Sequence, residues 1–178
     1  MHKIGKLRIE NNLVLAPMAE VTDIAFRTLC RIYGAGLVYT EIVNVTAIER
    51  NNKSTLTLAM TCKEEAPVAL QLFGSKTDSI KKALKIIEET DYINPDIIDF
   101  NFGCPVPKVI NQGAGAALLK RPAKIGEIIE TLKANTSLPI TAKIRIARNI
   151  EDTIKTAKII EKSGASALAI HGRTVAQM

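Results

Sequence analysis

At 178 residues, 47% hydrophobic and 24% charged, the chain is long enough to bury a core and too apolar for a disordered segment. Its first ten residues lack the apolar stretch of a secretory signal, and no run approaches the roughly 20 apolar residues of a membrane helix, so the sequence points to a cytoplasmic protein with no membrane contact. Three widely spaced cysteines exclude a disulfide framework and a zinc pattern, and 24 Lys and Arg against 18 Asp and Glu leave a net charge of +6, which favours a polyanionic partner.

Leu13 to Ala19 reads as an apolar strand broken by Pro17. Thr22 and Asp23 then supply N-cap chemistry for a helix that ends at Gly34-Ala35-Gly36. Leu37 to Val43 is a second strand, and the polar stretch from Arg50 to Ser54 reads as an exposed loop. Val68 to Gly74 is a third strand, with Asp78 expected to cap a helix whose Ile80, Ala83, Leu84 and Ile87 share one face. Lys81, Lys82 and Lys85 fall on its solvated side. The fourth strand, Ile97 to Asn101, breaks into Phe102-Gly103-Cys104-Pro105 and runs on to Gly113-Ala114-Gly115. A short helical piece from Ala114 to Leu119 precedes an amphipathic helix carrying Ile125, Ile128, Ile129 and Leu132. Pro139 to Ile146 is the fifth strand, Glu151 to Ser163 its helix, and Ala167 to Thr174 the sixth.

Near-continuously apolar strands alternating with amphipathic helices predict a parallel sheet covered by helices. The choice lies between a doubly wound sheet and an α/β (β/α)8 TIM barrel. Polar residues end almost every strand (Glu41, Gln71, Asn101, Lys143, His171, Arg173) and no GxGxxG is present, which favours the barrel. A barrel has eight strands and typically about 250 residues, so six units lead to the expectation that residues 1–178 are the N-terminal part of a longer protein. Gly103 and Pro105 hold Cys104 at a rigid corner. A thiol there can act as nucleophile, metal ligand or proton donor, or can serve as a small apolar cap.

Ala16-Pro17-Met18-Ala19, Leu70-Gln71-Leu72-Phe73-Gly74, Asn101-Phe102-Gly103-Cys104-Pro105 with Gly113-Ala114-Gly115, Lys143-Ile144-Arg145 and His171-Gly172-Arg173-Thr174 resemble, in order and spacing, the tRNA-dihydrouridine synthases. The resemblance implies an FMN-carrying barrel followed by a helical tRNA-binding domain. It further implies reduction of the flavin by NADPH, hydride transfer to C6 of a uracil in tRNA, and protonation of C5 by the cysteine matching Cys104, which would then be a thiol. Pro17, Met18 and Ala19 would lie against the flavin ring, Gln71 would meet its pyrimidine edge and Lys143 its N1/O2 side. Asn101 would orient flavin or uracil, His171 would approach the flavin, and Arg173 would pair with phosphate or substrate. Glu20 departs from the small residue, such as Gly, usual in the family. Competing readings are an FMN-dependent reductase of a free pyrimidine, similar to dihydroorotate dehydrogenases, and a truncated non-catalytic chain.

Overall fold

The computed structural model describes residues 2–177. An antiparallel hairpin, β1 (His2–Ile4) and β2 (Leu7–Ile9), leads to helix α1 (Ile24–Ile32). Asp23 caps α1 by accepting from the Phe26 amide at 2.8 Å, as its chemistry predicts. There follow β3 (Val38–Tyr39), β4 (Val43–Asn44), α2 (Val45–Glu49), α3 (Lys53–Ala59), β5 (Val68–Phe73) and α4 (Thr77–Glu88). The second half comprises β6 (Ile97–Asn101), the short helix α5 (Pro107–Ile110), a 3-10 turn (Gly115–Lys120), α6 (Pro122–Ala134), β7 (Ile140–Arg145), α7 (Ile150–Lys162) and β8 (Ala167–His171).

The main sheet is parallel throughout, in the order β3-β5-β6-β7-β8, with β4 also paired to β5. Its path curves through 215°, the arc of an incomplete (β/α)8 barrel. Strand alternation divides its two faces. Leu70, Leu72, Ile98, Phe100, Ala142 and Ile144 point outward into the main core with Ile80, Leu84, Ile125, Ile129 and Leu132 of α4 and α6. Tyr39, Ala69 and Ile97 point inward and meet Ile9 and Leu37, so the β1–β2 hairpin plugs the end from which the strands start.

Four local readings change. Leu13–Ala19 contributes a single parallel bridge, Val14 to Leu37, rather than a strand. Leu37–Val43 splits in two: Tyr39 pairs with Ala69 but Val43 with Leu72, so one extra residue is accommodated between β3 and β4. This is a bulge at the site end of the sheet, a common device for re-aiming side chains. The stretch from Arg50 to Ser54 is exposed throughout, as expected, but only Arg50, Asn51 and Asn52 form the connection; Lys53 and Ser54 open α3, and Asn44 and Asn52 cap α2 and α3 through their side-chain oxygens. Lys76 rather than Asp78 is the N-cap of α4, and Asp78 sits in its first turn, where its charge suits the helix dipole.

One buried ion pair had no signal in the pattern. Arg27 of α1 is fully buried against Glu65, with Nε to Oε2 and Nη2 to Oε1 at 3.1 Å, while Nη1 donates to the carbonyl of Thr22 at 2.6 Å and Nη2 to that of Met60 at 2.8 Å. Glu65 also accepts from the Cys62 amide at 2.9 Å. Every hydrogen-bonding group of the pair is used, which is the condition under which a buried pair is tolerable. Arg27→Met, which strands the Glu65 carboxylate, is expected to lower unfolding free energy by about 3–5 kcal/mol in urea titrations; a loss below about 1 kcal/mol would show that the pair is dispensable.

Candidate functional site

The inner face of the sheet is layered along the strands. Above the apolar plug, register places Gln71, Asp99 and Thr141 side by side on β5, β6 and β7. One layer nearer the strand ends, Asn101 neighbours Lys143, and above that Arg145 neighbours His171. An apolar floor therefore gives way to a neutral and acidic layer and then to a cationic rim.

The middle layer is a closed chain of hydrogen bonds. Thr141 Oγ1 meets Asp99 Oδ1 at 2.6 Å, Gln71 Nε2 donates to Asp99 Oδ2 at 2.6 Å, and Asn101 Nδ2 donates to Gln71 Oε1 at 2.9 Å. Asn101 Oδ1 accepts from the amides of Gly103 at 3.0 Å and Cys104 at 2.8 Å. The bulge takes part: the Gln71 amide donates to Thr40 Oγ1 at 3.0 Å. Gln71 is fully buried, with both ends of its amide used inside the protein, so it supports Asn101 from behind.

Asp99 is entirely buried, and burial raises its carboxyl above the usual carboxylate range despite hydrogen bonds from Thr141 and Gln71 and the nearby Lys143 charge. Tyr39, also in the interior, is pushed up by burial and by Asp99. Lys143 is held below the ordinary lysine value, first by burial and then by Arg145, with Asp99 opposing. His171 is lowered by desolvation and by Lys143, Arg145 and Arg173 together. Among the described residues Lys143 forms no ion pair. A half-buried cation with no ion-pair partner and with Arg145 close by is electrostatically suited to an anionic ligand.

Cys104 lies at the edge of this rim, half-buried against the cluster of Phe73, Val109 and Ala114. Its carbonyl accepts from the Ala116 amide at 3.0 Å, which folds the following loop back over it. Gly115 makes the return possible: its φ is +56°, and a Cβ there would fall 2.7 Å from the Cys104 carbonyl oxygen and from Val109 Cγ1. Gly103 passes tightly, though less closely, over β7, where a Cβ would come within 3.1 Å of the Arg145 nitrogen.

The structure thus brings Gln71, Asn101, Cys104, Lys143 and His171 to one end of the sheet. Arg173 is exposed in the loop after β8, its amide donating to His171 Nδ1 at 3.1 Å. Pro17, Met18 and Ala19 form a loop in which Met18 and Ala19 are exposed. Glu20, the departure noted in the sequence, has φ +63°, and its amide donates to Glu41 Oε2. A left-handed residue explains why glycine suits this position. Asp99, Thr141, Tyr39 and Arg145 were not singled out from the sequence as site residues. Alternation was the available signal: Asp99 stands two residues before Asn101 in one strand, and so on its face.

These features define a class: a parallel α/β half-barrel whose strand ends carry a cationic rim around one loop-held cysteine. A sequence profile of the dihydrouridine synthase (Dus) family matches residues 14–178, and the chain belongs to that family. It is 38% identical over 171 residues to a probable tRNA-dihydrouridine synthase of Aquifex aeolicus, covering 94% of this chain and 53% of the relative. It is also 38% identical over 178 residues to tRNA-dihydrouridine synthase B of Pseudomonas putida, covering 99% and 52%. The chain spans about half the length of these curated relatives. In fold it is similar to mandelate oxidase, at TM-score 0.50 and 17% identity over 88% of this chain and 47% of that one.

Two outcomes follow for stability. Glu20→Gly is expected to raise unfolding free energy by roughly 0.5–1 kcal/mol, through relief of left-handed strain; a decrease in the urea midpoint would count against that strain. For Asp99, the folded carboxyl keeps its proton above the ordinary pKa of 3.8, where the unfolded chain has lost it. The unfolded state then binds fewer protons, so this group's contribution falls as pH rises from 3.8 through its raised folded value. Asp99→Asn lacks that loss, so its stability relative to the parent should climb across the same window and then level off. A pH-independent difference in urea midpoints would contradict the raised value.

Proposed function

We propose that this chain is the cofactor- and cysteine-bearing part of a tRNA-dihydrouridine synthase, a cytoplasmic enzyme that reduces the C5–C6 bond of a uridine in tRNA. The observation that carries the reading is Cys104 held at the edge of an unpaired cationic rim, in a member of the Dus family. FMN, when bound, supplies the hydride and is itself replenished by NADPH. The residues present suit that group: Lys143 and Arg145 offer positive charge where a reduced flavin carries negative charge, and exposed Met18 and Ala19, beside Pro17, offer an apolar surface to a flat ring. His171 and Arg173 stand at the outer end of the rim, toward phosphate or substrate.

Cys104 delivers a proton to C5 as hydride arrives at C6, which stabilises the carbanion character that develops there. Asn101 fixes the loop from which the thiol approaches. Gln71 holds Asn101 through its amide oxygen, beneath the place where the pyrimidine edge of the flavin would lie. An RNA substrate is favoured over a free pyrimidine by a second feature of the same end of the sheet. A cleft of about 750 Å³ between α2, α4 and α6 is lined by Arg50, Lys76, Arg121 and Lys124 against Glu49 and Asp78, and its excess of positive charge favours a polyphosphate backbone. Further βα units closing the barrel would cover the apolar side chains exposed at the sheet edges, Leu13 and Val14 on one side and Ile150, Ile154 and Ile170 on the other.

The test separates the two half-reactions. With FMN added and unbound flavin then removed by gel filtration, the protein is expected to retain a visible flavin band, and Cys104→Ala should leave flavin reduction by NADPH intact while slowing dihydrouridine formation in tRNA by about 100-fold or more. Equal loss of both half-reactions would make Cys104 structural, and absence of the flavin band would remove the cofactor from the reading.

A further inference from the structure

The relay that ends at Cys104 has a direction, and the direction has a source. A primary amide presents donors at one end and acceptors at the other, so each can be inserted either way round. Asp99 Oδ2 can only accept from Gln71 while the carboxyl is ionised, or while its proton lies on Oδ1 toward Thr141. Gln71 must then point Nε2 at Asp99 and Oε1 at Asn101. That in turn forces Asn101 to point Nδ2 at Gln71 and leaves Oδ1 for the amides of Gly103 and Cys104. Were Gln71 reversed, Asn101 would reverse with it and set its NH2 against two backbone N–H donors. The buried amide of Gly103 and the half-buried amide of Cys104 would then lose their partner.

We propose that Asp99 is a positioning residue for Cys104: acting through Gln71 and Asn101, it selects the orientation of both amides and so holds the backbone turn that carries the thiol. The mechanism above makes no use of Asp99, whose side chain is sealed in the layer below the rim. Burying a carboxyl in a barrel interior has a clear energetic cost, and a hydrophobic residue would pack there without it. The relay accounts for its presence. What the turn is for rests on the proposed role of Cys104, but the positioning does not, and it is measured without any activity.

The experiment is site-resolved amide hydrogen exchange on the folded protein. The amides of Ile98 and Phe102 serve as internal references, because they donate to the backbone carbonyls of Pro139 and Lys143 in the same sheet region. Asp99→Leu removes the acceptor, and the amides of Gly103 and Cys104 should exchange about tenfold faster relative to those references, the effect of roughly one lost hydrogen bond. Asp99→Asn keeps a carbonyl that can accept from Gln71 while its NH2 faces Thr141, and should keep both amides within about threefold of the parent, inside the range of a weakened bond. If Asp99→Leu fails to fold, Gln71→Met, which cuts the relay one link on, is expected to give the same selective loss. The proposal is overturned if Gly103 and Cys104 change only in step with Ile98 and Phe102. It is equally overturned if Asp99→Asn loosens them as much as the apolar substitution.

Discussion

A carboxyl group sealed inside the sheet imposes the strictest condition on this structure. Asp99 has no access to water, so each of its oxygens must find a donor within the protein. Thr141 and Gln71 meet that need from the two neighbouring strands, in the same register layer. A slip of one residue in either strand would turn those side chains outward into the apolar core. The hydrogen-bond layer and the register of β5, β6 and β7 therefore specify each other. The bulge between β3 and β4 belongs to the same solution, since it brings Thr40 Oγ1 to the Gln71 amide.

From that layer the chemistry changes steadily toward the strand ends. The hairpin and its apolar partners close the far end, the polar layer is satisfied internally, and the rim above it carries cations that form no ion pair among the described residues. Rigidity and reactivity are thereby separated by only a few ångströms of strand. Arg27 and Glu65 add a second anchor behind the Pro17–Glu20 loop, tying α1 to the turn that precedes β5. The loop is free to offer an apolar surface because its base is not free to move.

The cationic rim and the cleft lined by Arg50, Lys76, Arg121 and Lys124 share the end of the sheet from which the Cys104 loop emerges. Gln112, in that loop, is bonded to both flanks: Asn44 donates to its side-chain oxygen at 2.9 Å and Ser75 to its carbonyl at 3.0 Å. Ligand at the rim and polyanion at the cleft would therefore meet one connected surface, which is the arrangement that acting on a nucleotide within RNA calls for.

Much of this was readable before any coordinates. Apolar runs of strand length between helical faces identified the parallel sheet, because burial on both sides leaves no room for polar alternation, and the residues ending those runs marked the end where a site forms. Gly103, Pro105 and Gly115 marked the corner at Cys104 through backbone demands that few residues satisfy. Asp99 and Arg27 were not readable in this way. A charged residue in an apolar run is tolerable only if partners distant in sequence satisfy it, Thr141 lying 42 residues from Asp99 and Glu65 lying 38 from Arg27. The bulge escaped for the same reason. Local composition specifies which face a residue takes, whereas long-range pairing and register specify which groups meet on that face, and the buried relay to Cys104 exists only where they meet.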